Sequence, residues 1–213
     1  MSKRSNSSAA WLQEHHKDQY VIRSQKDGYR SRAAYKLEEI NDRDRLLKQA
    51  SVVVDLGAAP GGWSQYAGRL MQGNVRIIAN DILEMEELPG VEFVLGDFRE
   101  NAVFDGLMRQ INQSDDASNK RIVDLVMSDM APNTSGNKAM DQPRMMHLAE
   151  LARDLSLEVL KPGGSFLVKL FQGEGFQEYL GTLRADFQQV VTRKPAASRS
   201  RSSELYLLAK GRK

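Results

Sequence analysis

The stretch from Val52 to Trp63 constrains the fold of this chain more than any other. Its three consecutive valines are typical of a strand buried on both faces of a sheet. Asp55 follows them, and Gly57, Gly61 and Gly62 come next in a turn that leads into a helix. Glycine suits such a turn because, without a Cβ atom, the backbone bends sharply and approaches a ligand closely. A strand, a glycine turn and a helix N-terminus form the nucleotide-binding corner of an open α/β sheet.

Two well-known phosphate-binding loops do not fit this glycine spacing. A Walker A loop requires lysine at the position that Trp63 occupies. The dinucleotide fingerprint requires glycine where Ala59 stands, which argues against a nicotinamide oxidoreductase. An acid followed by Gly-Ala-Ala-Pro-Gly-Gly resembles instead the S-adenosylmethionine loop of class I methyltransferases. This resemblance implies that Asp55 helps to set the loop, whose backbone lies along the methionine part of the cofactor.

The length and composition predict one domain with a substantial core. The chain has no cysteine, so it has no disulfide and no thiolate nucleophile, and an intracellular location is the simpler interpretation. No apolar run approaches the ~20 residues of a membrane span. We therefore expect a soluble cytoplasmic protein without membrane contact. Residues 1–10 are expected to be a disordered basic tail, and residues 11–213 a single domain.

A net charge of +2 conceals two basic ends. Residues 1–36 carry eight Lys and Arg against three Asp and Glu, and residues 193–213 carry seven against one. Basic ends on an acidic body suggest that both ends face a polyanion. Aromatic residues are interleaved with the N-terminal charges, so residues 11–48 are predicted to fold rather than to form a loose tail.

Apolar runs and helical stretches alternate along the chain. This alternation predicts an α/β fold, a doubly wound and mostly parallel sheet of seven strands with helices on both faces. Ser31 is predicted to cap the helix that carries Lys36, and Asp141 to cap a helix that starts at Pro143. The expected strands start near Val52, Val75, Val91, Ile122, Ser165, Val190 and Glu204.

Charged side chains mark the ends of several predicted strands. Asp81 ends the second strand, where an acid accepts hydrogen bonds from the two hydroxyls of a ribose. Asp97 follows the third strand and is placed to accept from an adenine amino group. Asp129 follows the fourth strand, Lys169 lies inside the fifth, and Glu204 starts the last. A buried lysine is costly unless it is paired or functional.

Four motifs in order closely resemble those of the FtsJ/RrmJ family of ribosomal RNA ribose 2′-O-methyltransferases. They are Asp-Leu-Gly-Ala-Ala-Pro-Gly-Gly-Trp, Ser-Asp-Met-Ala-Pro-Asn, Val-Lys-Leu-Phe-Gln-Gly and Arg-Ser-Ser-Glu-Leu-Tyr. The resemblance runs from about Trp11 to Lys213 and implies a Rossmann-like class I fold with S-adenosyl-L-methionine as cofactor. It further implies a Lys-Asp-Lys-Glu catalytic tetrad at Lys36, Asp129, Lys169 and Glu204.

The resemblance also implies binding residues and a substrate. The cofactor contacts carry over to Gly61, Trp63, Asp81, Asp97 and Asp129. The implied substrate is a uridine in the A loop of 23S rRNA, within the assembled or nearly assembled large ribosomal subunit, and a monomer is the family expectation.

Other methyl acceptors fit the sequence less well than a ribose hydroxyl. Methylation of pyrimidine C5 through a thiolate needs a cysteine, and amino-group methylases typically show Asn/Asp-Pro-Pro-aromatic where this chain has Asp129-Met-Ala-Pro-Asn133. No His, Asp or Glu spacing suggests a metal site. The basic ends would then bind RNA phosphates, with residues 11–48 facing the RNA. The candidates for these contacts are Arg23, Arg30, Arg32, Arg199 and Arg201.

The residues leave the role of Lys169 open. A neutral Lys169 would remove the proton of the ribose hydroxyl, but an ordinary lysine is almost wholly charged at neutral pH. Burial, Lys36 and the cofactor sulfonium favour the neutral form, whereas Asp129 and Glu204 favour the charged form. The hypothesis is that Lys169 is the base, oriented by the two carboxylates, with Lys36 steadying the hydroxyl or a phosphate. The alternative is a charged Lys169 that stabilises the developing alkoxide.

Two further functions remain as alternatives. One is a non-catalytic RNA-binding protein of ribosome assembly that retains the cofactor fold, against which the intact tetrad argues. The other is a 2′-O-methyltransferase of a different RNA.

Overall fold

The computed structural model describes residues 18–48, 50–113, 121–199 and 202–213. The predicted disordered tail at residues 1–10 and the candidate Arg201 lie outside the described residues. Helices in the described residues are α1 (Gln19–Asp27), α2 (Ala34–Asp44), α3 (Gly62–Leu70), α4 (Asn101–Asn112), α5 (Lys138–Val159) and α6 (Phe176–Asp186). The strands are β1 (Val52–Leu56), β2 (Arg76–Asp81), β3 (Val91–Leu95), β4 (Val123–Ser128), β5 (Leu160–Phe171), β6 (Phe187–Arg193) and β7 (Glu204–Arg212).

The strands form one seven-stranded sheet in the order β3-β2-β1-β4-β5-β7-β6. The first five strands of this order are parallel, whereas β7 runs antiparallel to both β5 and β6. The predicted doubly wound, mostly parallel sheet is therefore confirmed. Because β7 is reversed, its first residue, Glu204, lies at the same sheet edge as the carboxyl ends of β1, β4 and β5.

Both faces of the sheet are covered by helices. On one face α2 and α3 pack on Val53, Leu125 and Leu167, and on the other face α4, α5 and α6 pack on Val54 and Val126. Neighbouring residues of β1 thus enter opposite cores, as expected of a strand with consecutive valines.

Helix α5 begins earlier than the sequence predicts. Its N-cap is Asn137, whose side chain accepts a hydrogen bond from the Ala139 N–H at 3.1 Å, so Pro143 lies inside the helix. The predicted cap Asp141 instead accepts from the backbone N–H of Ser135 at 2.8 Å and of Gly136 at 3.1 Å. Asparagine caps a helix about as well as aspartate does, so Asn137 can serve as the N-cap. The Asp141 carboxylate is left to accept the backbone hydrogen bonds of the turn that precedes the helix.

Two other predicted boundaries are also wrong. Helix α2 begins at Ala34 with Ala33 at the N-cap, and the Ser31 side chain does not cap it. Strand β5 starts at Leu160 rather than Ser165, because the Lys161–Gly164 turn is an irregularity within the strand. Gly163 permits it with a φ of +83°, and the ladder with β4 resumes at Ser165.

Asp44 ties the end of α2 to the reversed strands. Its carboxylate accepts hydrogen bonds from Arg193 at 2.6 and 2.8 Å and lies 3.3 Å from the Lys210 ammonium. Burial alone would raise the pKa of Asp44, but the two cations hold it below its usual range. The ionised side chain therefore stabilises the folded state, and this contribution is lost as the pH falls through the depressed pKa.

We predict that Asp44→Asn lowers the free energy of unfolding at pH 7 by about 1–3 kcal/mol, because hydrogen bonds to a charged group are lost. The difference from wild type should shrink as the pH falls and the wild-type carboxyl becomes protonated. Urea denaturation at a series of pH values measures both. Asp105→Asn, an exposed change on α4, is the matched control; an equal loss in both variants would contradict the prediction.

Candidate active site

A cavity of about 320 Å³ opens at the carboxyl ends of β1, β2, β3 and β4. Gly57, Asp81, Asp97 and Asp129 line it together with apolar side chains. Two of these apolar side chains, Ile82 and Leu83, are 68% and 62% exposed. A site with carboxylates at adjacent strand ends and uncovered apolar walls suits a ligand that carries both hydroxyls and a flat ring.

Gly57 is required by the shape of this cavity. Its φ is +72°, and a Cβ atom there would lie 2.7 Å from Cγ of Met130. The backbone N–H groups of Gly57 and Ala58 donate to the carbonyl oxygen of Asn80, at 2.9 and 3.2 Å, which holds the turn against β2. The resulting bare backbone surface fits the methionine part of S-adenosylmethionine, which the sequence resemblance implies.

Asp81 and Asp97 both point carboxylates at this end of the sheet, but they differ in their partners. Asp81 accepts from the backbone N–H of Ala59 at 2.8 Å and of Leu83 at 2.9 Å. Each oxygen retains a second lone pair, so Asp81 can still accept from ribose hydroxyls. Asp97 accepts from the Arg99 guanidinium at 2.9 Å, and these hydrogen bonds lower its pKa. An adenine amino group would therefore share Asp97 with Arg99.

The other glycines and Trp63 lie behind the cavity rather than in its lining. A Cβ atom at Gly61 would lie 2.6 Å from Leu88, and one at Gly62 would lie 2.3 Å from the Ser31 hydroxyl. The Trp63 indole N–H donates to the Ala33 carbonyl at 2.8 Å, and the side chain is buried. These residues pack the loop against its neighbours and are not part of the cavity lining.

The four residues of the implied tetrad are brought together beside this cavity. Lys36 lies 2.7 Å from Oε1 of Glu204, and Lys169 lies 3.1 Å from Oδ1 of Asp129 and also donates to its carbonyl oxygen. Their side chains are 7–19% exposed. Because each cation is paired with one carboxylate, the buried charges compensate one another.

Tyr206 joins the two ion pairs. Its hydroxyl donates to Oδ1 of Asp129 at 2.8 Å and lies 3.3 Å from Oε1 of Glu204. Burial and the two carboxylates raise its pKa well above the usual value, so the hydroxyl stays protonated as a donor. The sequence reasoning gave Tyr206 no role. A signal was present, since Tyr206 follows Glu204 by two positions in a strand and so shares its face.

Burial alone would raise the pKa of Asp129, but the positive charges of Lys169 and Lys36 outweigh it and leave the pKa below the usual range. Asp129 is therefore an ionised partner for Lys169. Asp129 also lines the 320 Å³ cavity described above, here called the cofactor cavity. This one residue therefore belongs to both the cavity and the tetrad.

The described arginines of the predicted RNA-binding set have protein partners. Arg23 pairs with Asp27 and Glu38, and its guanidinium lies 4.1 Å from the centre of the Tyr35 ring. Arg30 donates to the carbonyl oxygens of Glu86 and Glu87, at 2.6 and 2.7 Å.

The remaining two described arginines meet at one acid. Arg32 lies 2.7 Å and Arg199 3.8 Å from Oδ2 of Asp18. Side-chain exposure in the four described arginines is 48% for Arg23 and 17–24% for the others, so Arg23 has the most surface left for RNA.

Among the described residues, no group of three His, Cys, Asp or Glu side chains lies close enough to hold a metal ion.

Asp55 lies under the glycine turn, fully buried, where its Oδ2 accepts from the Ser64 hydroxyl at 2.6 Å. Its other oxygen has no hydrogen-bond partner among the described residues. Burial raises the pKa of Asp55 to about 7, although the Ser64 hydroxyl acts in the opposite direction. A carboxyl whose pKa is raised on folding stabilises the protein fully below its unfolded pKa, and the contribution disappears as the pH rises to the folded value.

We predict that, as the pH rises, the free energy of unfolding of wild type falls relative to that of Asp55→Asn. Between pH 4 and pH 8 wild type should lose up to roughly 4 kcal/mol relative to the variant. Urea denaturation of both proteins across this range tests it. Parallel stability curves would show that Asp55 is ionised in the folded protein throughout.

The comparisons with known proteins agree with this geometry. Residues 29–212 match the FtsJ-like methyltransferase family. Two curated relatives called ribosomal RNA large subunit methyltransferase E come from Legionella pneumophila (strain Corby) and Alcanivorax borkumensis. The Legionella relative is 57% identical over 208 residues, with 98% of each chain covered. The Alcanivorax relative is 54% identical over 212 residues, with 100% of this chain and 99% of the relative covered. The crystal structure of a ribosomal RNA methyltransferase from Plasmodium falciparum is 30% identical with a TM-score of 0.76, covering 86% of this chain and 98% of that one. The chain therefore belongs to the FtsJ-like methyltransferase family.

Proposed function

We propose that the protein transfers a methyl group from S-adenosylmethionine to a ribose 2′-hydroxyl of large-subunit ribosomal RNA. The observation that carries the proposal is the cluster of Lys36, Asp129, Lys169 and Glu204 beside a cavity that fits the cofactor. The fold is the Rossmann-like class I fold of S-adenosylmethionine-dependent methyltransferases. The relatives' name gives the RNA, and the resemblance specifies a uridine in the A loop of 23S rRNA.

The residues divide the work between cofactor and acceptor. The cofactor would be held by Gly57, Asp81 and Asp97. Its loop would be set by Asp55 and by the packing of Gly61, Gly62 and Trp63. Asp129 would face both the cofactor and the acceptor ribose. When bound, S-adenosylmethionine supplies an electrophilic methyl group on a sulfonium that leaves as a neutral thioether. What the protein must add is in-line placement of the ribose oxygen and a path for its proton.

We assign that proton to Lys169. Its ammonium has three donors, and the two acceptors described above both belong to Asp129. We propose that Lys169 acts as a neutral amine, which accepts the hydroxyl proton and becomes an ammonium as the ribose oxygen takes the methyl group. Asp129 and Glu204 orient Lys169, and Lys36 steadies the hydroxyl or a neighbouring phosphate. A charged Lys169 that only stabilises the alkoxide is the alternative.

We further propose a monomeric cytoplasmic enzyme with one catalytic domain over residues 11–213. Its substrate is the assembled or nearly assembled large subunit, with residues 11–48 facing the RNA. No helix in the described part of the chain is long and apolar enough to cross a membrane. Arg23, Arg30, Arg32, Arg199 and Arg201 remain proposed RNA contacts.

Substitution of Lys169 tests the reaction and the role of the lysine together. With tritiated S-adenosylmethionine and purified large subunits, wild type should label an alkali-resistant ribose, and Lys169→Ala should lower kcat at least ~100-fold. Lys169→Arg keeps a charge that is not lost at any working pH. An arginine variant as inactive as the alanine variant supports the base, whereas substantial activity supports the charged stabiliser.

Two controls frame this result. Cofactor affinity by calorimetry should stay near wild type in both variants, which separates chemistry from cofactor binding. The free energy of unfolding should fall in Lys169→Ala, because Asp129 is left buried without its cation, and fall less in Lys169→Arg, which keeps the charge. Both variants are therefore assayed under conditions in which urea denaturation shows them to be folded. Label on a base would refute the ribose assignment. Absence of label on subunits and on naked ribosomal RNA, with cofactor still bound, would favour the assembly-protein alternative or a different RNA.

Tyr206→Phe removes the hydroxyl that joins the ion pairs while keeping the ring. We predict that kcat falls roughly 10-fold, the equivalent of one hydrogen bond to a charged group, with unchanged cofactor affinity. Steady-state methyl transfer to large subunits measures it. Tyr179→Phe, which removes a buried hydroxyl that donates to the Ala149 carbonyl of α5, is the control; equal losses in the two variants would contradict a local role.

A further inference from the structure

A second and larger cavity, about 940 Å³, opens next to the tetrad. Its volume is nearly three times that of the cofactor cavity. Its walls are the first turns of α5, the end of β5 with the loop after it, and the residues that lead into β7. The side chains that matter below are Lys138, Gln142, Phe171, Glu174 and Ser203.

This cavity, here called the flanking groove, adjoins the reacting centre. Phe171 follows Lys169 by two positions on β5, so the two side chains share one face, and it pairs with Glu204 across the ladder. Ser203 directly precedes Glu204. Thr134 lines the flanking groove, whereas its neighbour Asn133 lines the cofactor cavity. The loop after β4 therefore separates the two cavities; Asp129 of the tetrad lines the cofactor cavity, and Ser203, the neighbour of Glu204, lines the groove.

The walls of the groove are rigid. The Gln142 amide donates to the carbonyl oxygens of Phe171 at 3.2 Å and Glu174 at 2.9 Å, which ties α5 to the loop after β5. A Cβ atom at Gly173 would lie 2.7 Å from this amide, so the close approach depends on glycine there. Asp141 holds the opposite turn through Ser135. A wall built this way is formed before any ligand arrives.

Phe171 is the unusual side chain of the groove. It is half-buried and belongs to neither hydrophobic core, although it lies at the end of a buried strand. An aromatic face in a groove beside a cation and hydroxyl groups is what proteins use to bind single-stranded nucleic acid, because every base can stack on it. Here the cations are Lys138 and Arg199, and the hydroxyl groups include that of Ser203.

Because the tetrad is buried, the nucleotide whose ribose accepts the methyl group must not be base-paired. The Lys169 side chain is only 7% exposed, so a ribose must leave a duplex to bring its 2′-oxygen to the ammonium. The strand on either side of that nucleotide must then continue through space next to Glu204, and the flanking groove is the space available there.

We propose that the flanking groove binds the unpaired nucleotides next to the acceptor, with a base stacked on Phe171 and a phosphate near Lys138. This inference rests on the proposed function, because it takes RNA as the substrate. The lining carries two cations, Lys138 and Arg199, and two carboxylates, Glu174 and Asp141, so its charges nearly cancel. Arg199 also lies 3.8 Å from Asp18, and the Asp141 carboxylate is already enclosed by donors. Stacking rather than charge therefore supplies most of the affinity in the groove.

The test uses the full-length protein and a fluorescein-labelled single-stranded RNA of about ten nucleotides, measured by anisotropy. Phe171→Leu nearly keeps the volume but loses the aromatic face, and should weaken binding on the order of 10-fold. Phe171→Tyr keeps the face and should bind like wild type. Calorimetry with S-adenosylmethionine should give the same affinity for all three proteins, because Phe171 does not line the cofactor cavity.

Removal of a positive charge and of a negative charge from the groove should have opposite effects on RNA binding. Lys138→Gln should weaken binding and reduce the slope of log affinity against log salt by about 0.7, the value for one contact with a single strand. Glu174→Gln should strengthen binding, because it removes a negative charge from the groove. Arg109→Gln, an exposed change on α4 outside the lining of the groove, is the matched control and should change neither.

The outcomes separate this inference from the proposed function. Unchanged binding in Phe171→Leu, or equal affinity of wild type for the single strand and for its duplex, would overturn the groove assignment. Weaker binding only in Phe171→Leu and Lys138→Gln supports it. Methyl transfer by wild type to large subunits, measured separately, decides the proposed function, and the oligonucleotide result stands whichever way that decision falls.

Discussion

The pairing of Lys169 with Asp129 is the interaction on which the site depends. A lysine buried in a strand is tolerated only when an opposite charge and hydrogen-bond acceptors lie within reach, and Asp129 supplies both a carboxylate and a carbonyl oxygen. Removal of one partner leaves the other charge buried and uncompensated, which usually costs more than the pair contributes. The Tyr206 hydroxyl contacts both Asp129 and Glu204, and Glu204 pairs with Lys36, so the two ion pairs are connected in one network.

The reversed strand β7 makes this unit compatible with an ordinary nucleotide-binding sheet. In a fully parallel sheet the residue at the start of a strand lies at the edge opposite the ligand. Because β7 runs antiparallel to β5, Glu204 and Tyr206 instead face Lys169 and Asp129. The carboxyl ends of β1, β2, β3 and β4 then line the cofactor cavity, and Glu204 lies beside the end of β5.

Much of this arrangement could be predicted from the sequence. The glycine turn and the charged positions beside apolar strands are local signals, so the sheet, the cofactor cavity and the positions of Asp129, Lys169 and Glu204 were predictable. Lys36 lies on a helix, and only the family resemblance grouped it with the other three. Tyr206 was not assigned a role, because a tyrosine in an apolar strand looks the same whether its hydroxyl meets solvent or two carboxylates. The start of α5 was misplaced because several residues before it can cap a helix equally well.

The basic ends show most clearly why charge alone predicts a partner poorly. The two ends are distant in sequence, yet Arg32 donates to the Ala197 carbonyl, and Glu39 accepts from the Ala197 N–H at 2.9 Å. Asp18 and Asp44 pair with further arginines and lysines of both ends. Part of the positive charge therefore holds the two ends together beside Lys36 rather than facing solvent. The positive field at the two ends is therefore weaker than the composition indicates. Under the proposed function, shape and stacking would take a larger share in recognising the acceptor strand.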